Sequence, residues 1–147
     1  MYLGFSFEKG GNLFVELCDK TPHTLRTLSK ILPLESEARH TRWCGREVYF
    51  PICTRQTPCR ENQTSTVSKF DVAYWTEWDI HANLPGSLTE ETLSFYYGAE
   101  VLRFHGGPLK VNVIGRISWD QESLLEEIGE RVWHCGFEKI KISLIAK

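Results

Sequence analysis

The sequence has no long apolar run, no tract of one charge and no paired cysteines, and each absence removes a class of function. Its most apolar stretches, such as 13–17 and 142–146, are far shorter than the roughly 20 residues a bilayer-spanning helix needs. No membrane partner is therefore expected. Seventeen Lys and Arg are mixed with 19 Asp and Glu along the chain, for a net charge of −2. A surface without a basic stripe offers no electrostatic footprint to nucleic acid. The N-terminus, Met1-Tyr-Leu-Gly-Phe-Ser-Phe, lacks a positive segment leading into an apolar one, so it reads as a mature strand and the compartment as cytoplasmic. Cys18, Cys44, Cys53, Cys59 and Cys135 are odd in number, unevenly spaced and without a CxxC pair, which fits reduced thiols. Cys53 and Cys59 with a distant histidine are too little to predict a zinc site, and no metal is expected. There is no Gly-x-Ser-x-Gly elbow, no glycine-rich phosphate loop and no His-Glu-x-x-His, so no cofactor is expected either.

What is present is a globular composition. With 41% hydrophobic residues against 24% charged, the chain can bury enough surface to offset the entropy of ordering. Its 147 residues suit a single domain over 1–147. Tyr2–Phe7 and Asn12–Cys18 alternate apolar with polar residues around Lys9-Gly-Gly-Asn12, which predicts a hairpin. Thr21-Pro22 marks a helix start, with Leu25, Leu28 and Leu32 on one face and Pro33 as the stop. Glu35–Trp43 leads through a Cys44-Gly45 turn into Arg46–Ile52, a second hairpin. Residues 53–68 read as a long surface loop, Phe70–Trp75 as a strand and Glu77–Thr89 as an irregular excursion. Thr92–Tyr97 and Lys110–Ile117 are further strands. Asp120 is the expected N-cap of a helix striped by Leu124, Leu125, Ile128 and Val132, with Glu127–Arg131 as a solvent-side pair and Gly136 at its end. A last strand, Phe137–Ile145, alternates Ile140, Ile142 and Leu144 with Lys139, Lys141 and Ser143. Many short strands with two helices predict a mainly β barrel or sandwich, a choice that periodicity leaves open.

Several segments resemble the cyclophilin-like proteins found in bacteria as small families of uncharacterised function. They are Arg39–Val48, Glu61-Asn62, Phe70–Trp75, Glu91–Gly98 and Asn112–Ile117. The resemblance covers the chain from about Arg39 onward and implies a closed cyclophilin-like β-barrel of roughly eight strands with two short helices. Where such families turn quickly after the tyrosine of the Phe70–Trp75 segment, this chain inserts Trp75–Pro85, aromatic enough to cap a pocket or a partner surface. Prolyl isomerase activity is not expected, because Arg103-Phe-His-Gly-Gly107 has neither the order nor the surroundings that chemistry needs.

The residues to which chemistry can be assigned lie in these segments. Arg42 beside Trp43 can clamp a carboxylate while the indole packs on the ligand's apolar body. Tyr74, Tyr97, Arg103 and Arg116 complete a set suited to a small polar or anionic metabolite, with Glu91 as a further polar contact. Glu61 is the expected general acid or base. Cys44, flanked by Arg42 and Arg46, is the candidate nucleophile, with its thiol pKa lowered by positive charge, and His40 is its nearest histidine. Each also has a structural reading: arginines closing salt bridges at strand ends, aromatics packing the core, and Glu91 as a solvated turn acid. The leading expectation is a small-ligand protein, with a catabolic hydrolase or lyase as its enzymatic form. The alternatives are a non-catalytic subunit docking through 75–85, in a homo-oligomer, and a divergent prolyl isomerase.

Overall fold

A computed structural model describes residues 1–78, 90–104 and 107–146. In chain order it contains β1 (Tyr2–Phe7), β2 (Asn12–Leu17), α1 (Pro22–Ser29), β3 (Leu34–His40), β4 (Glu47–Ile52), β5 (Gln63–Thr64) and β6 (Thr66–Val67). There follow β7 (Asp71–Thr76), β8 (Glu91–Tyr96), β9 (Glu100–Val101), β10 (Arg103–Phe104), β11 (Gly107–Pro108) and β12 (Val111–Ile117). A 3₁₀ turn (Trp119–Gln121), α2 (Glu122–Cys135) and β13 (Glu138–Ile145) complete it.

Eight strands close into one antiparallel ring in the order β2-β1-β13-β3-β4-β8-β7-β12, with β12 returning to β2. Closure leaves no free edge in that ring to template aggregation. The seam is made by Gly115↔Leu17, Arg116↔Glu16 and Ile117↔Val15. A Cβ on Gly115 would stand 2.4 Å from the Glu16 carbonyl oxygen, so only glycine lets the two backbones approach there. The expected hairpins, β1–β2 and β3–β4, both form.

Period-two alternation sends Leu3, Phe5, Val15, Val48, Phe50, Val72, Leu93, Phe95, Ile114, Ile140 and Ile142 into the barrel. Phe5, Phe50 and Phe95 meet at its centre, with ring centroids 5.1 and 5.8 Å apart for the Phe5–Phe50 and Phe50–Phe95 pairs. The helices close opposite ends. Thr24 of α1 is bonded by Asn112 at the start of β12, whereas Gly129 of α2 lies against the Tyr97 ring just past the end of β8. Leu125, Ile128 and Val132 seal the α2 end, as their helical spacing predicts.

Some local expectations are corrected. Asp120 lies in the 3₁₀ turn and does not cap α2, whose N-cap position is Gln121. Arg131 does not pair with Glu127. It reaches the wholly buried Glu138 of β13 in a bidentate ion pair, with contacts of 2.8 and 3.1 Å, and donates to the Gly10 carbonyl. Gly136 does take a positive φ, 77°, which favours glycine, but its ψ of −146° is not that of a left-handed helical cap. Residues 53–68 are less a loop than expected, because β5 joins β12 and β6 joins β9. Most of the 77–89 excursion, with Ile80, His81 and Pro85-Gly86, lies outside the described residues, as do His105 and Gly106.

Candidate functional site

The wall β4-β8-β7-β12 is covered over part of its outer face as well as along its inner one, which is what makes the site. Its inner face belongs to the barrel core, while Ala73, Tyr96 and Val111 point outward into a second cluster with Val67 and Leu102. Residues 100–104 and 107–111, with the short strands β9, β10 and β11, form a flap over that outer face; Leu102 donates its N–H to the Ser65 carbonyl and accepts at its own carbonyl from Leu109. Between this flap and the wall is a cavity of about 560 Å³. Cross-strand register explains its lining, since Glu47 pairs with Tyr96, Tyr49 with Ser94 and Trp75 with Thr92. Trp43, Tyr49 and Trp75 supply aromatic walls; Glu47, Glu77 and Glu90 are its carboxylates and Arg103 its cation.

Glu47 is the best-placed titratable group. Its carboxyl receives the Tyr96 hydroxyl at 3.4 Å, and Tyr96 is itself wholly buried and within 3.1 Å of Ser94 Oγ. Burial pushes the Glu47 pKa up to about 7, against the opposing pull of hydrogen bonds from Ser94, Tyr96 and Thr41. Burial also holds the Tyr96 phenol well above its usual value, so it stays a donor. A carboxyl half-protonated near neutrality can donate or accept a proton in this cavity.

The structure distributes the ten residues singled out from sequence. Trp43, Cys44 and Arg103 line the cavity. Cys44 is buried, and burial raises its thiol pKa, opposite to the lowering expected from Arg42 and Arg46. Its Sγ donates to the Arg103 carbonyl at 2.6 Å and accepts the Arg103 N–H at 3.2 Å, tying the flap to the wall. Arg42 turns away, with its guanidinium 4.4 Å from the Trp133 ring and 2.6 Å from the Trp133 carbonyl on α2, so it forms no clamp with Trp43. His40 lies under the same helix, bonded through Nε2 to the Tyr97 hydroxyl at 2.5 Å and edge-on to Trp133. Burial, assisted by the Arg42 charge, lowers the His40 pKa to about 4, so the ring is neutral at pH 7.

Tyr74 and Glu91 meet at the α1 end. Glu91 is not a solvated turn acid: it is buried, accepting from the Tyr74 hydroxyl at 2.7 Å, the Thr54 N–H at 2.9 Å and the Thr54 hydroxyl. Arg116 is on the outer surface, paired with Asp71 and bonded to the Lys69 carbonyl. Glu61 caps α1. It accepts from His23 N–H at 3.0 Å, Thr24 N–H at 2.9 Å and Thr24 Oγ1 at 2.8 Å, the work expected of Thr21, whose side chain makes no cap bond. Burial opposes ionisation of Glu61, but these bonds outweigh it and keep its pKa low. Glu61, His40 and Cys44 thus sit in three separate places. Trp78 packs inward, 5.9 Å from the Tyr74 ring with its N–H on the Pro58 carbonyl.

Sequence reading missed Glu47 and Tyr49 as pocket residues because it took the outer barrel face for solvent, and it met Trp75 only as the start of an insertion able to cap a pocket. A signal existed: Val72-Ala-Tyr-Trp75 and Phe95-Tyr-Tyr97 are apolar in both phases, the pattern of strands covered on both sides. A second hollow of about 780 Å³, between the end of α1 and β4, is lined by Lys30, Ile31, Glu35, Ile52 and Arg55 among others. It has no aromatic wall and no buried titratable group.

Among solved structures, McbB in complex with tryptophan superposes with a TM-score of 0.73 at 14% identity, covering 99% of this chain. This chain spans only 45% of that one. The solution structure of the hypothetical protein AF2241 from Archaeoglobus fulgidus matches with a TM-score of 0.61 at 24% identity, covering 97% of this chain and 93% of its own. At these identities both likenesses concern the fold. No curated protein matches the sequence. The family model described as "Protein of unknown function (DUF3830)" matches residues 9–144. Nearly the whole barrel falls inside that match, and the chain belongs to the DUF3830 family.

Proposed function

We propose that this barrel binds a small ligand with a cationic, amine-type head and an aromatic body in the cavity between the β4-β8-β7-β12 wall and the flap that carries Leu102, Arg103 and Leu109. The observation that carries this is the lining: three carboxylates, Glu47, Glu77 and Glu90, face one guanidinium among Trp43, Tyr49 and Trp75. The sequence suggested a polar or anionic metabolite, but the excess of carboxylates selects the opposite charge. Aromatic faces add cation–π attraction for an ammonium and stacking area for a ring. Tryptophan, the molecule in the McbB complex, carries both chemical features. Glu47 faces the ligand as the group able to exchange a proton with it. The closed eight-stranded barrel with two helices accords with the cyclophilin-like kinship read from the sequence. Exposed free thiols at Cys53, Cys59 and Cys135 accord with a reducing, cytoplasmic compartment.

The test compares ligands with one ring and opposite charges. Tryptamine at a hundred times its Kd stabilises the native state by about 2.7 kcal/mol. For a chain of this size that raises Tm by roughly 5–10 °C. Indole-3-propionate gives no shift, and Glu47→Gln lowers the tryptamine response. Equal or greater stabilisation by the acid, or none by either, overturns the proposal.

A further inference from the structure

The barrel carries a second cluster of chemical groups, none of which lines the cavity. Cys59 and Glu61 come from the loop before β5, and His23 from the first turn of α1. Their ligating atoms, one thiol sulfur, one carboxylate oxygen and one imidazole nitrogen, all lie within 4.8 Å of one another. We infer that His23, Cys59 and Glu61 form a binding site for a zinc-class divalent cation, with a fourth coordination position open to solvent.

The frame that holds these groups is the reason to read them as a site. Asn112, wholly buried at the start of β12, fixes both contributing segments from one side chain. Its amide nitrogen donates to the Cys59 carbonyl at 2.9 Å and to Thr24 Oγ1 at 3.1 Å, and its amide oxygen accepts the Glu61 N–H at 3.0 Å. Asn62 anchors the same loop by donating to the Val113 carbonyl at 2.8 Å. The Glu61 carboxylate is oriented by its three bonds to α1, two of them on Oε2. Oε1 accepts only the His23 N–H among these, which leaves it a lone pair for a metal. Buried hydrogen-bond partners that orient ligands in this way are characteristic of metal centres.

The donor set selects the ion. One nitrogen, one sulfur and one oxygen suit zinc better than the hard, oxygen-seeking calcium or magnesium. Three protein ligands with His23 and Cys59 exposed leave the fourth position to water or a small molecule. The α1 N-terminus opposes a cation with about half a positive charge, but the Glu61 carboxylate and the Cys59 thiolate bring two negative ones. On binding, the Cys59 thiol releases its proton to buffer, so affinity rises with pH.

Cobalt(II) and zinc(II) test the site on the whole chain. The wild type takes up one zinc per chain, measured by competition with a chromophoric chelator, and its cobalt complex shows thiolate-to-cobalt charge-transfer absorption. Cys59→Ser removes that absorption, and both Cys59→Ser and His23→Ala weaken zinc binding by roughly tenfold or more. Cys53→Ser and His134→Ala leave stoichiometry and spectrum unchanged. Both test residues are exposed, so metal-free melting temperatures stay near wild type and separate loss of ligand from loss of fold. A cobalt complex without the thiolate band overturns the site. So does a Cys59→Ser protein that binds zinc like the wild type, or an equal loss in Cys53→Ser.

Discussion

Glu47 and His40 make opposite demands on stability as pH changes, and replacing either one exposes the other. Glu47 has a folded pKa of about 7 against an ordinary 4.5, so the native state holds its proton more tightly than the unfolded chain. Its contribution is fully present below pH 4.5 and is lost as pH rises through 7. His40 has a folded pKa of about 4 against 6.5, so its contribution is present above pH 6.5 and is lost as pH falls through 4. Each shift is worth on the order of 3 kcal/mol, and the two slopes have opposite sign between pH 4.5 and 6.5. The wild type is therefore nearly flat in that window as far as these two groups govern it. Glu47→Gln keeps the shape and removes the titration. Relative to wild type it is near neutral at pH 4 and more stable by about 3 kcal/mol at pH 8, which leaves the His40 slope uncovered. His40→Gln does the reverse, with stability falling from pH 4.5 to 7. Urea unfolding at half-unit pH intervals reads both. A Glu47→Gln offset that is constant from pH 4 to 8 refutes the reasoning, because Glu47 would then titrate alike in the folded and unfolded chains.

Two further outcomes follow from the packing. Arg131→Met strands the wholly buried Glu138 carboxylate and costs about 3–5 kcal/mol, whereas adding Glu138→Leu recovers most of that loss. Denaturant midpoints of the single and double variants check it. Cys44, buried and bonded to the Arg103 backbone, reacts with a thiol reagent far more slowly than Cys53, Cys59 and Cys135 in the native protein, and at the same rate once unfolded. Mass spectrometry of partially labelled protein gives the order, and a fast Cys44 would mean that the flap opens readily.

Local pattern was enough to place most elements and not enough to place the site. Both hairpins, both helices and the inward residues of β1, β2, β4 and β13 follow from alternation, turn glycines and helical spacing, because those signals are carried by neighbours in the chain. The short strands β9, β10 and β11 were missed, since two-residue strands have no period to detect. The candidate residues were chosen in sequence clusters, but Arg42 and Trp43 leave the backbone on opposite sides, so one meets α2 and the other the cavity. Glu61 looked like an acid–base group and is a helix cap, because the α1 N-terminus it serves is 37 residues away.

The sequence by itself determined the mainly β class and the apolar faces of β1, β2, β4, β13 and both helices, since composition and periodicity act over a few residues. The tertiary structure alone decided that β12 returns to β2 and that residues 100–104 and 107–111 cover the outer wall. It also decided that Glu47 lies beside Tyr96 at the cavity wall, and that His23 meets Cys59 and Glu61. These are contacts between residues far apart in the chain, set by barrel closure and burial, and no local pattern encodes them.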